Sequence, residues 1–471
     1  MRTWEVKYIS TRGNAPVLGF SDALLAGLAV DGGLYVPKEW PRFSKKDIRK
    51  LRGQSYQTVA EAIVTPFVGG EISKTDLRRM IDEAYATFRH PAVAPLVQTD
   101  ANVFIMELFH GPTLAFKDVA MQLLARLLDH VLTERGERAT IVAATSGDTG
   151  GAAIDAFAGR DRTDIFVLFP EGKVSPVQQR QMTTAAAANA YPVAVKGNFD
   201  DCQNLVKAMF NDGKFRDKVQ LSGVNSINWA RIMAQVVYYF TAALAVGSPD
   251  RKVSFTVPTG NFGDIFAGYV AKQMGLPIAK LVIGTNENDI LARTLKTGRY
   301  EMREVKLTTS PSMDIQISSN FERLLYEASD RNADEVVRYM SGLRQSGAFD
   351  IEENTLKAIR KTFKATRASE AEVKKTIKTV LAETGYLADP HTAVAIHAAK
   401  RNLKADAPMI VLSTAHPAKF PAAVKKASGI DPALPSWLAG LMDREERFDV
   451  LQAELDAVEA YIGGKARIAR H

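Results

Sequence analysis

Cysteine is almost absent from this chain. Cys202 is the single one in 471 residues, which excludes an internal disulfide and fits a reducing compartment. Long apolar runs are also missing, so no stretch reads as a membrane-spanning helix. The opening 1-MRTWEVKYIS-10 lacks the layout of a secretory signal. A cytoplasmic location is therefore expected. Histidine is scarce, with seven residues, and His391 and His397 are not at the spacing of helical metal ligands. No metal site is expected. Lysine and arginine outnumber aspartate and glutamate, 60 to 53, yet no dense basic run forms. The excess suits anionic ligands and says little of nucleic acid. Repeats and low-complexity tracts are missing as well.

What remains has the composition of a globular protein, 46% apolar and 24% charged. Its length calls for two or three domains. Amphipathic helices are expected over 21–28, 56–68 and, after a Ser73 cap, 74–88. The segment 31-DGGLYVP-37 reads as a turn into an extended piece, and Pro91, Pro95 and 98-QTDAN-102 as an exit linker. From Val103 apolar runs alternate with helix-length segments, at 103–109, 140–145, 165–170, 191–197, 219–224, 253–259, 279–285 and 409–414. That rhythm predicts an α/β architecture with parallel sheets. Ligands in such sheets bind beyond the carboxyl ends of the strands. The stretch 443–462 reads as a charged, surface-packed helical tail.

The chain is organised around 109-FHGPTLAFKDVAMQLL-124. A helix begins after the Gly111-Pro112-Thr113 turn, placing Lys117 in its first turn. A helix N-terminus disfavours a cation and so favours the neutral amine that a Schiff-base lysine needs. Local physics leaves the ordinary alternative open, a solvated surface lysine. Phe116 in place of glycine excludes a Walker A loop. A second stretch, 258-PTGNFGD-264, joins a strand to a helix, and its glycines let backbone amides face a phosphate. Alone such a turn is more often a plain connection, and it lacks the dinucleotide glycine spacing. The loop 144-ATSGDTGGAA-153 has the small hydroxyl residues and free amides that suit a carboxylate.

The string 110-HGPTLAFKD-118 resembles the pyridoxal-phosphate (PLP) motif of the threonine synthases, fold-type II PLP enzymes of the tryptophan-synthase-β-like class. The stretches 8-YISTRG-13, 31-DGGLYVP-37, 256-TVPTGNFGDIFAGYVAKQMGLP-277, 310-SPSMDIQISSNFERLL-325 and 389-DPHTA-393 are similar to the same family. The resemblance covers nearly the whole chain. It implies a mainly helical N-terminal domain (1–97), a large PLP-binding α/β domain (98–125 with 226–471) and a small α/β domain (126–225). It implies PLP on Lys117, flanked by Phe116, with its phosphate on Thr259, Gly260, Asn261, Phe262 and Gly263. Asp148 takes the place near the cofactor's 3-hydroxyl where many relatives have asparagine. Thr145, Ser146, Gly147 and Thr149 would hold the substrate carboxylate.

A second phosphate site is implied at Asn198 and at Asn225, Ser226, Asn228 and Arg231. Lone asparagines and serines at helix starts are usually caps, whereas arginine suits phosphate by its fork. Thr414 would face the pyridine nitrogen, with Ser413 a rival for that contact. No role beyond packing or a moving lid follows for 310–325, and none for 389–393. The implied activity is conversion of O-phospho-L-homoserine and water to L-threonine and phosphate. A serine or threonine dehydratase would use the same lysine and loops, and a binding protein without turnover is a third possibility. Small-molecule substrate, no nucleic acid, no membrane, and a monomer or homodimer complete the expectations.

Overall fold

The computed structural model describes residues 5–404 and 407–468. Two parallel sheets organise it. The larger has six strands in the order Phe363–Arg367, Ile278–Thr285, Val253–Pro258, Met409–Ser413, Val103–Glu107 and Leu96–Asp100. Only Leu96–Asp100 runs antiparallel, at the edge. The smaller has five strands, Asp449–Gln452, Ala190–Lys196, Thr163–Pro170, Ala139–Ala144 and Leu221–Ser222, all parallel. Central strands such as Val253–Pro258 and Thr163–Pro170 are buried along their whole length. Unbroken apolar runs of this kind are what a sheet covered on both faces requires.

The Lys117 helix (Lys117–Arg135) ends at Gly136, a left-handed C-cap. Its residues 117–125 are all buried, because other helices surround it. The N-terminal helices Phe20–Ala26, Tyr56–Val68 and Lys74–Tyr85 form nearly where the periodicity places them, and Ser73 caps the third. They do not make a separate core. One apolar cluster runs from Tyr8 and Phe67 through the Lys117 helix to the large-sheet strands. Its hinge is Trp229, the first residue of helix Trp229–Ala245. Tyr8, Trp40 and Phe67 pack their rings around it at 6.0, 5.8 and 5.6 Å. Farther out, Arg12 grips the Glu322 carboxylate with two hydrogen bonds of 3.0 and 2.9 Å. The N-terminal region thus braces the helix that carries Arg231.

Three expectations need correction. The 98–102 linker is partly strand, since Leu96–Asp100 pairs with Val103–Glu107 in a tight hairpin. The run 219–224 keeps only Leu221–Ser222 as strand. The tail over 443–462 is not one helix, and it does not continue the large sheet. Asp449–Gln452 adds to the small sheet beside Ala190–Lys196, and Leu455–Lys465 follows as a helix. The latter's Val458 and Ile462 are buried with Cys202, Leu205 and Met209. A mostly exposed edge strand carries little apolar alternation, which is why pattern alone read helix there.

Candidate active site

Three sequence-marked loops leave the carboxyl ends of strands Ala139–Ala144, Val253–Pro258 and Met409–Ser413 and turn toward Lys117. Phe116 is tied in by its backbone N–H, which donates to the Thr414 carbonyl at 2.9 Å. Its ring centroid lies 5.3 Å from Lys117 Nζ. Lys117 itself is buried, with Nζ 3.4 Å from Asp148 Oδ2 and 3.4 Å from Ser312 Oγ. Its pKa is lowered, but the helix start is not the leading cause. Burial is, with Asp148 opposing and Lys419 and Arg231 adding to the fall.

Asp148 opens helix Asp148–Phe157 and is an ionised carboxylate. Burial works against its charge, yet Lys419, Lys117, His391 and a hydrogen bond from Gln178 hold it well below the usual range. Gln178 Nε2 donates to Oδ1 at 2.9 Å, and Lys419 Nζ lies 3.1 Å from the same oxygen. In the loop before it, Thr145 Oγ1 accepts from the N–H groups of Gly147 and Gly150, both at 2.9 Å. That brace shapes the turn. Gly147 has φ +134°, and a Cβ there would stand 2.4 Å from Gln178 Cδ. Ser146 and Thr149 are half-buried beside it.

The 258–264 loop is equally constrained. A Cβ on Gly260 would lie 2.7 Å from the Ser312 carbonyl, and Phe262 sits in the left-handed region at φ +64°. The helix starts at Gly263, so its first N–H groups have no intrahelical acceptors. Thr259 is fastened from within: its N–H donates to Gly284 and its hydroxyl to the Val257 carbonyl. The carbonyls of Gly260 and Asn261 face outward to Ser318 and Asn320. A phosphate fits such a glycine turn at a helix start. Just inside the helix, Asp264 is buried between two tyrosines, whose hydroxyls donate to Oδ1 at 2.6 and 2.9 Å. Burial raises its pKa to about 7 against those hydrogen bonds.

That raised value has a measurable consequence. Protonated Asp264 is favoured by folding, so its contribution is full in acid and is lost as pH climbs from about 4 to about 7. Asp264→Asn should remove this loss, on the order of a few kcal/mol. Urea midpoints at pH 5 and pH 8 should differ less in the variant than in the parent. An identical difference in both would contradict it.

The second-phosphate candidates separate. Arg231 is buried and sits one turn into helix Trp229–Ala245. One hydrogen bond, from Nη1 to the Val224 carbonyl at 3.2 Å, is the only one its side chain makes among the described residues, and Nε has no partner. Burial lowers its pKa to about 10, with no carboxylate beside it. Asn228 is committed elsewhere: Oδ1 caps the helix at Ala230 N and Nδ2 donates to the Leu24 carbonyl. Ser226 is half-buried and Asn225 exposed, and both offer backbone carbonyls to neighbours. Asn198 is an exposed cap in a closed box with Asp201. Among the described residues no contact joins it to Lys117.

Ser413 and Thr414 also divide. The Ser413 hydroxyl meets Thr392 Oγ1 at 2.9 Å and accepts from Tyr386 at 3.2 Å. Thr414 is buried, and its side chain makes no hydrogen bond among the described residues. Lys419, Ser312, Gln178 and His391 escaped the sequence reading. The 310–325 stretch delivers Ser312 to Lys117, and 389–393 supplies His391, whose Nδ1 meets Asp389 at 2.9 Å and whose Nε2 faces the Ser312 N–H. These assignments resolve two stretches that pattern alone left without a role.

A buried lysine of lowered pKa, a glycine turn at a helix start and a hydroxyl-ended strand between parallel sheets define a fold-type II PLP enzyme. Family models agree: "Pyridoxal-phosphate dependent enzyme" matches residues 87–341. "Threonine synthase N terminus" matches 7–85, and "Threonine synthase, C-terminal" matches 392–462. The chain is 51% identical over 459 residues to a threonine synthase of Pseudomonas aeruginosa, spanning 97% of this chain and 98% of that one. A PLP-bound threonine synthase crystal structure from Brucella melitensis superposes with TM-score 0.97 at 67% identity, covering 98% of this chain and 100% of that one. The yeast threonine synthase structure follows at TM-score 0.93 and 40% identity, covering 99% of each. The chain belongs to the threonine synthase family. No helix among the described residues is long and apolar enough to cross a membrane.

Proposed function

We propose that this enzyme converts O-phospho-L-homoserine and water to L-threonine and phosphate. The observation that carries the reading is Arg231, a buried guanidinium with no counter-charge among the described residues, whose field reaches Lys117. A buried charge left unpaired is costly, and a second phosphate would supply what the fold omits. A dehydratase has no use for it.

PLP would be held by Lys117, by the 259–263 turn on its phosphate side, and by Asp148 and Thr414 at its ring. Bound, it supplies an electron sink that makes protons next to the amino-bearing carbon removable. Lys117, neutral once displaced, is the base that takes the Cα proton and later returns it. The amides of Ser146, Asp148 and Thr149, at the start of helix Asp148–Phe157, would orient the substrate carboxylate, those of Thr145 and Gly147 being spent within the fold. Arg231 grips the phosphate that leaves with its bridging oxygen from Cγ. For the atoms to balance, Cβ gives up one proton and takes the hydroxyl of water, whose other proton goes to the site, while Cγ takes a proton to become the methyl group. Thr414 would offer a neutral hydroxyl to the ring nitrogen, and a hydroxyl does not hold that nitrogen protonated as a carboxylate does. Its unbonded side chain, against the doubly engaged Ser413, supports that choice.

Two experiments test the reading. Incubated with O-phosphohomoserine, the protein should yield phosphate and threonine in equal amounts; phosphate with another amino or keto acid would contradict it. Thr414→Asp should lower threonine formation on the order of a hundredfold while PLP absorbance persists. Unchanged turnover would move the ring contact to another residue.

A further inference from the structure

Lys117 and Lys419 share one carboxylate. Asp148 Oδ2 stands 3.4 Å from Lys117 Nζ, and Oδ1 stands 3.1 Å from Lys419 Nζ. Lys419 is fully buried, yet it is no free amine. It donates to the Thr113 carbonyl at 2.6 Å and to Gln181 Oε1 at 2.7 Å. Those partners lie in the turn before the Lys117 helix and on helix Pro176–Thr183. Lys419 itself ends the short turn Pro417–Lys419, which follows the strand that leads to Thr414. Its ammonium is therefore fixed from three directions, with its charge aimed at Asp148.

The arrangement answers a conflict of charges. Lys117 must be a neutral amine to react. A lone buried carboxylate at 3.4 Å would keep it an ammonium instead. We propose that Lys419 is a positioning residue that neutralises Asp148, leaving it a hydrogen-bonding oxygen for the Lys117 site rather than an uncompensated anion. This rests on the PLP reading of Lys117. The other titratable and charged groups facing the pair are Arg231, the hydrogen-bonded His391 and Asp389, and Asp118, next along the Lys117 helix. Arg231 pushes Lys117 in the same direction as Lys419, and His391 helps hold Asp148 ionised. Lys419 brings its charge to Asp148 Oδ1, the oxygen away from Lys117, which also accepts from the neutral Gln178 amide.

The test uses Lys419→Met, Lys419→Gln and Lys419→Arg. In the apoprotein, the pH dependence of Lys117 labelling by an amine-reactive reagent, read by peptide mapping, gives the lysine's pKa without any cofactor. In the holoenzyme, the pH dependence of the visible absorbance reports the linked lysine. Methionine and glutamine should raise both midpoints by about one unit, a tenfold change in proton affinity. Arginine, which keeps the charge, should leave them near the parent value. Circular dichroism identifies any variant that fails to fold, and two uncharged replacements keep the test open if one does. No rise, a fall, or the same rise with arginine would overturn the proposal. If holoenzyme absorbance is lacking even in the parent while the apoprotein midpoints shift as expected, the PLP reading fails and the charge coupling stands.

Discussion

Lys117→Ala should abolish threonine formation, by a factor of about 10⁴ or more. The estimate combines a lost covalent nucleophile with a lost general base, the latter alone worth about 10²–10⁴. No neighbour can replace it. Ser312 and Asp148 are the side chains hydrogen-bonded to its Nζ, and neither is an amine. Lys419 is near but engaged by Thr113, Gln181 and Asp148. Borohydride reduction of the parent holoenzyme should therefore fix the cofactor to the peptide containing Lys117, and reduction of the variant should fix none. The fold should survive, because Asp148 keeps Lys419 and Gln178 as partners. A label on Lys419, Lys173 or any other lysine would move the site.

Arg231→Met should divide stability from function. The parent buries a guanidinium with one side-chain hydrogen bond and an orphaned Nε; even buried ion pairs are often replaced by apolar side chains with no loss or with a gain of about 1–4 kcal/mol, and an unpaired charge lacks the Coulomb attraction that offsets desolvation. The variant should thus melt higher than the parent without ligand. Inorganic phosphate should raise the parent's melting temperature and leave the variant's in place. Removing a charge-assisted contact to a bound anion costs roughly 1.5–3 kcal/mol, about ten- to a hundredfold in affinity. Activity on O-phosphohomoserine should fall at least that far, while any side reaction with unphosphorylated serine should change little. Equal loss on both substrates, or a lower melting temperature, would make Arg231 a structural residue.

Which parts of this were legible in the sequence follows from where the information sits. Lys117 and the 258–264 loop could be read because a helix start, a glycine turn and the reactive side chain are neighbours in the chain. The parallel sheets could be read because doubly covered strands are written as unbroken apolar runs. The contacts of Lys419, Ser312 and His391 could not, since each is delivered by tertiary packing; 310–325 and 389–393 carry a family resemblance, but nothing local to them names a role. Asn198 and Asn228 both look like polar ligands at helix starts, and in the structure the amide oxygen of each caps its helix. The edge strand Asp449–Gln452 was hidden because its pairing partner lies more than two hundred residues earlier. Lys117's lowered pKa was anticipated from the helix start, whereas in the structure burial lowers it most, Asp148 opposes, and Lys419 and Arg231 add to the fall.

The most direct measurement is a comparison of two rates on the purified holoenzyme. Phosphate release from O-phosphohomoserine and keto-acid formation from serine are followed at equal substrate concentration. With Lys117 serving one chemistry and Arg231 reserving a place for a second phosphate, phosphate release should be faster by a factor of a hundred or more, on the order of a charge-assisted anion contact. Threonine should accumulate mole for mole with phosphate. A protein that deaminates serine faster than it releases phosphate from O-phosphohomoserine would contradict the account.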